Sequence, residues 1–190
     1  LAVYAHVLTV ALFGKSIFVV RATSAVISLL GAVAVALILK LIFKARYWWL
    51  SILFLAATPV WFLHSRTAFE AVSMASLYGW FLLCYLLYLT RSPRFLFPAL
   101  LIAGAAFYSY SNGQATVAVA GLMLFLSDLR YHVRQRRTLL VALLLAAAVA
   151  TPLVAFQVNH ASGLSDTLRN INSPIAKSIP LQEKVAFYLQ

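Results

Sequence analysis

Residues 22–43 form a nearly unbroken apolar run whose only polar members are Thr23, Ser24, Ser28 and Lys40. At about 1.5 Å of rise per helical residue the run reaches roughly 33 Å, enough to cross a hydrocarbon core about 30 Å thick. Further apolar segments follow near residues 47–63, 69–89, 95–108, 115–127 and 138–156. A chain that is 64% hydrophobic and 10% charged stands far from soluble domains, in which about a quarter of residues carry charge. Burying so much apolar surface requires lipid as well as a protein core. The expected fold class is therefore all-α, a polytopic transmembrane helical bundle of about six spans, with an interfacial helix at residues 1–13.

Local signals set the ends of these segments. Lys40, Lys44 and Arg46 close the first span, and Tyr47, Trp48 and Trp49 sit where an aromatic belt belongs. Pro59 predicts a kink in the second span, and Trp61 and Phe62 mark its far interface. Residues 91–94 read as a turn, Pro98 fits the first turn of the fourth segment, and residues 128–137 read as a basic loop. Residues 1–157 form the transmembrane domain. Residues 158–190 are polar, contain Gly163, Pro174 and Pro180, and read as an extracytoplasmic loop in which residues 181–189 start another interfacial helix. A first residue of Leu1, without initiator Met or leader pattern, and an end at Gln190 inside an amphipathic pattern read as an internal fragment.

The formal net charge of +11 does not imply a nucleic-acid partner. Basic residues collect on cytoplasmic loops of membrane proteins, and no basic module interleaved with aromatics is present. Lys40, Lys44, Arg46, Arg91, Arg94, Arg130, Arg134, Arg136 and Arg137 fall on one side in short loops, which makes that side cytoplasmic. The cluster from Arg130 to Arg137 enforces this topology, with anionic lipid headgroups as secondary partners. Cys84 is the single cysteine and carries no redox information.

The fourth and fifth segments are too short for the hydrocarbon core, so the polar residues 109–114 that join them should lie below the outer surface. Irregular backbone at that depth needs protein or a wet cavity around it. Tyr108, Tyr110, Ser111, Asn112 and Gln114 are thus expected to line an outward-facing cavity; the alternative is a tight surface turn with local thinning of the bilayer. Arg66 and Glu70, four residues apart at the outer start of the third span, are expected on one helix face. They read either as a mutual ion pair or as a catalytic pair facing the cavity. Arg21 and His64 join them as outward-facing candidates for an anionic ligand, Arg21 having interfacial snorkelling as its plainer role. His160 is a further candidate phosphate donor. Two histidines without a carboxylate pair make a weak metal site, so no metal ligand is assigned, no cofactor is established by the sequence, and a divalent ion stays open. No P-loop, dinucleotide fingerprint, HExxH or GxSxG is present.

A resemblance to a known family rests on three stretches. Leu12-Phe13-Gly14-Lys15-Ser16-Ile17-Phe18-Val19-Val20-Arg21-Ala22-Thr23-Ser24-Ala25, the run from Thr58-Pro59 through Ser65-Arg66 to Glu70, and Phe107-Tyr108-Ser109-Tyr110-Ser111 resemble successive motifs of the GT-C glycosyltransferases. That group includes the protein O-mannosyltransferases and the lipid A aminoarabinose transferases. The resemblance implies a GT-C-like fold with an active site at the extracytoplasmic face. It implies transfer of a sugar from a polyprenyl-phosphate donor to a lipid, glycan or protein hydroxyl, in a bacterial or archaeal plasma membrane. It also implies a catalytic base in a first outer loop preceding Leu1, so this chain alone is expected to be inactive. Glu70 matches a second acidic position where relatives carry Asp, and residues 110–112 lack the lysine many relatives have near the fourth-to-fifth connection. A transporter or lipid flippase is the rival class, since a break between short helices also builds transporter sites; no matching break or inverted repeat accompanies it here.

Overall fold

The computed structural model describes residues 2–67 and 70–159. Its first helix, α1 (Ala2–Phe13), stops at Gly14, whose φ of 86° is open to glycine and strained for other residues. The chain turns there, and Ser16 caps α2 (Ile17–Leu41) by accepting the Val19 amide at 3.2 Å. Beyond α2 the residues form α3 (Leu50–Ala57), α4 (Pro59–Arg66), α5 (Glu70–Thr90), a 3-10 turn (Pro93–Phe95), α6 (Leu96–Phe107), α7 (Ser111–Ser127), α8 (Leu129–Arg134) and α9 (Arg136–Asn159). By length and apolar character α2, α5 and α9 can each cross a bilayer, and Val3–Phe13, Pro93–Phe107 and Gly113–Ser127 are shorter apolar helices. The protein is a helical membrane bundle.

Several boundaries differ from the sequence expectation, each for a local reason. The kinked span at residues 47–63 is two helices of 8 residues each, not one. A proline ring pushes the residue before it out of the helical region, and Thr58 is extended at φ −72°, ψ 117°. Pro59 then opens α4 at its first turn, where a missing N–H costs nothing. The polar break is also shorter than expected, because residues 111–114 form the first turn of α7 instead of irregular backbone. The basic loop at 128–137 contains α8.

Close packing of α2 on α5 explains their pairing. The buried face of α2 carries Thr23, Ser24, Ser28, Gly31, Ala32, Ala34 and Ala36; the facing side of α5 carries Ser73, Ser76 and Gly79. Small residues let helix backbones approach in a medium that gives no hydrophobic drive to association. At Gly31 a Cβ would stand 2.5 Å from Ser76 Oγ and 3.0 Å from its Cα. On its other side α5 joins α6 through a core of Phe81, Cys84, Tyr85, Tyr88, Leu96 and Ala99, closed by Ala142 of α9. A Cβ at Gly104 would run into Val149, and the Tyr108 hydroxyl donates to the Val149 carbonyl at 2.8 Å. Two units divide the chain at Val149, Leu1–Val149 and Ala150–Gln190. Of the second, residues 150–159 are described, as the continuation of α9.

Candidate functional site

The turn from α1 into α2 brings two cations to one end of the bundle. Lys15 lies in the turn and Arg21 one helical turn inside α2, and both line a groove of about 550 Å³ with Ser16, Ile17, Val20 and Thr67. Thr67 is the extended residue (φ −111°, ψ 144°) that ends α4, and its hydroxyl donates to the Leu63 carbonyl at 3.1 Å. Arg21 therefore sits beside the residue that follows Arg66, an arrangement that the separation in sequence conceals.

Arg66 and Glu70 do not share a helix face. The break at Thr67 puts them on different helices, Arg66 closing α4 and Glu70 opening α5, so the four-residue spacing loses its helical meaning. The Arg66 guanidinium instead lies over the Phe62 ring, 3.9 Å from its centroid, as a cation–π contact. Among the described residues no ion pair joins it to Glu70. Glu70 is exposed in the first turn of α5, where the helix dipole favours a carboxylate. His64 donates from Nδ1 to the Val60 carbonyl at 2.8 Å, which fixes its tautomer; it faces along α4 rather than into the Arg21 groove.

The break between α6 and α7 lies inward of this end. Gly113 packs against Met74, four residues along α5 from Glu70, or about 6 Å at helical rise. A cavity of about 220 Å³ adjoins the break, lined by Ser73, Ser76 and Ser109 among Ala5, Ile27, Leu30, Leu77 and Trp80. Of the break it takes Ser109, which the sequence reading placed in the break but not among the lining residues, and none of the residues expected to line it. Tyr108 is committed to Val149, Tyr110 caps α7 and is half-buried, Ser111 is exposed, and Gln114 is half-buried. Asn112 lies in the first turn of α7. The Ser76 hydroxyl, 3% exposed, has no hydrogen-bond partner among the described residues. His160 and the tail at 160–190 lie outside the described residues. Among the described residues no group of three or more His, Cys, Asp or Glu side chains comes together to hold a metal.

The opposite end of α5 holds a polar cluster that the sequence reading missed. His132 of α8, 2% exposed, sits between Tyr88 and Phe125, with ring centroids 5.4 and 5.0 Å away. Tyr85 donates its hydroxyl proton to Asp128 Oδ2 at 2.7 Å, so at 3.3 Å it accepts from His132 Nε2–H. In the neutral imidazole, the form that burial favours, Nδ1 then accepts from the Tyr88 hydroxyl at 2.8 Å. Burial lowers the His132 pKa from its ordinary value, against a smaller upward pull from Asp128. A histidine inside a run of arginines gave no hint that it would be buried.

The family model for dolichyl-phosphate-mannose-protein mannosyltransferases matches residues 1–156. The chain belongs to that family. Its membership covers nearly all the described helices and makes the protein a mannosyltransferase-like membrane glycosyltransferase, of a family that uses polyprenyl-phosphate-linked sugars. No curated protein and no solved structure showed a significant match. The transporter and flippase readings have no comparable support.

Proposed function

We propose that this protein moves a sugar from a polyprenyl-phosphate-linked donor to a hydroxyl of a protein, glycan or lipid acceptor at the extracytoplasmic face of the membrane. The observation that carries the reading is the family match over residues 1–156. The gathering of Lys15, Arg21 and the end of α4 at the bundle end where α5 begins supports its location. In the reaction the acceptor oxygen bonds to the anomeric carbon while the bond from that carbon to the phosphate oxygen breaks. The leaving lipid phosphate keeps the electron pair, and a carboxylate takes the acceptor's proton. Cations near the phosphate stabilise the charge as it develops, a role suited to Arg21 and Arg66. Glu70, exposed at the start of α5, is the candidate carboxylate among the described residues, acting as base or orienting the acceptor within hydrogen-bond reach of about 3 Å.

The test is transfer by full-length protein in membranes from a panel of labelled polyprenyl-phosphate sugars. Glu70→Gln and Arg66→Ala should each lower the rate, by about 10²-fold where the group contacts the reacting atoms, with the bundle still folded. Normal rates in both variants would remove these two residues from the site. Lack of transfer from every donor would remove the function.

A further inference from the structure

The end of α5 that carries the buried histidine is strongly cationic on its outside. Arg91 and Arg94 follow α5, Arg130 and Arg134 lie on α8, Arg136 and Arg137 open α9, and all six are exposed. The Tyr131 hydroxyl of α8 donates to the Tyr88 carbonyl at 3.1 Å, which lays α8 along this end of α5. Among the described residues the one carboxylate here is Asp128, since Glu70 opens α5 at its far end. Asp128 is turned inward, its Oδ2 accepting the Tyr85 hydroxyl proton at 2.7 Å. The buried side of α8 thus takes up the acid that could have neutralised the exposed side. Arg130 and Arg134, one turn apart, repel each other, and the N-terminal dipole of α9 disfavours Arg136 and Arg137. A counter-charge from outside this cluster would relieve both.

What flanks the arginines identifies its source. At 3.6 residues per turn, Asp128, Tyr131 and His132 fall on one arc of α8, and Leu129, Val133, Arg130 and Arg134 on the other. All four residues of that second arc are exposed, two apolar beside two cationic. Leu126 of α7 and Leu140 of α9, just inward along the chain on either side, are exposed as well. The surface therefore passes from apolar to cationic within about two helical turns, as a leaflet passes from acyl chain to headgroup. A soluble polyanion would meet the cations and leave the apolar residues between them in water. We infer that α8 and the start of α9 dock the headgroup phosphate of an anionic phospholipid in the leaflet at this end, Arg130 and Arg134 meeting the phosphate and Leu129 and Val133 the acyl chains. The buried contacts of Tyr85 with Asp128 and of Tyr88 with His132 hold α8 in place, so little ordering is needed when the lipid arrives. The inference does not depend on the transferase reading.

The site is tested by photolabelling the full-length protein in nanodiscs of phosphatidylcholine. The discs carry a trace of photoactivatable phosphatidylglycerol or, separately, of photoactivatable phosphatidylcholine, and labelled residues are mapped by mass spectrometry. Label on residues 126–140 should favour phosphatidylglycerol by at least about tenfold, the scale set by one or two cations close to a membrane surface. Arg130→Gln with Arg134→Gln should bring the two probes to within about threefold. Arg130→Lys with Arg134→Lys should keep the preference, which separates lost charge from a disturbed helix. Inorganic phosphate or an oligoglutamate peptide, added at the concentration of the lipid probe, should not displace it. Displacement by phosphate would make the patch a plain ion site, displacement by the peptide a contact for an acidic protein, and either overturns the proposal. Equal labelling by the two probes in the unaltered protein overturns it too, as does a preference that survives the double glutamine variant or is lost in the double lysine one.

Discussion

Ser76 shows how a single atom can work against the fold. Its hydroxyl is buried without a hydrogen-bond partner among the described residues, and an unmet buried polar group costs about 1–3 kcal/mol. Ser76→Ala should therefore raise the melting temperature in detergent, and a fall would mean that the hydroxyl has a partner. His132 makes the opposite kind of prediction. Its folded-state pKa lies below the ordinary histidine value of 6.5 because of burial, so the unfolded chain binds the proton more readily. Stability should be level above that value and decline as pH drops through and below it, on the acid side only. Melting curves between neutral and mildly acid pH should show this slope, and His132→Gln should flatten it; equal slopes in the two proteins would refute the assignment. Nothing in the local sequence marks either residue. Ser76 looks like one more small residue in a span, and His132 acquires its meaning from Tyr85 and Tyr88, more than forty positions away.

At the scale of elements, the helices were legible because lipid demands long apolar runs, and α2 and α5 fall where hydropathy puts them. What hydropathy does not encode is where a helix stops inside such a run. The four-residue spacing of Arg66 and Glu70 suggested one helix face, and the extended backbone at Thr67 undid it. Pro59 was read as a kink, yet the residue before it leaves the helical region and the span divides. The pairing of α2 with α5 gives a sharp test. Gly31→Ala forces a Cβ against the backbone of Ser76, whereas a Cβ at Gly79 would meet Ala34 at an ordinary 3.4 Å. Gly31→Ala should cost about 1–3 kcal/mol, the usual price of overpacking, and Gly79→Ala far less, as read from detergent unfolding. Equal effects would mean that the seam is looser than described.

Across the whole molecule, charge distribution put Lys15, Arg21 and Arg66 on one side of the membrane, and in the structure Lys15, Arg21 and Thr67 line one groove. The groove itself stayed hidden, because it depends on α4 folding back beside α2, which no local pattern announces. Sidedness follows from the same distribution. Cysteines placed singly at Lys15 and at Arg94 should react with a membrane-impermeant maleimide from opposite faces, the buried Cys84 staying silent; reaction from one face would overturn the topology. The divided segment has a further effect on this end. Pro59 offers no amide to the Leu55 carbonyl, which takes the Thr58 amide instead at 3.1 Å, and α4 beyond it has no buried residue. With so little anchoring α4, like α3, is held weakly to the bundle, and Thr67 at its end is the wall it contributes to the groove beside Arg21.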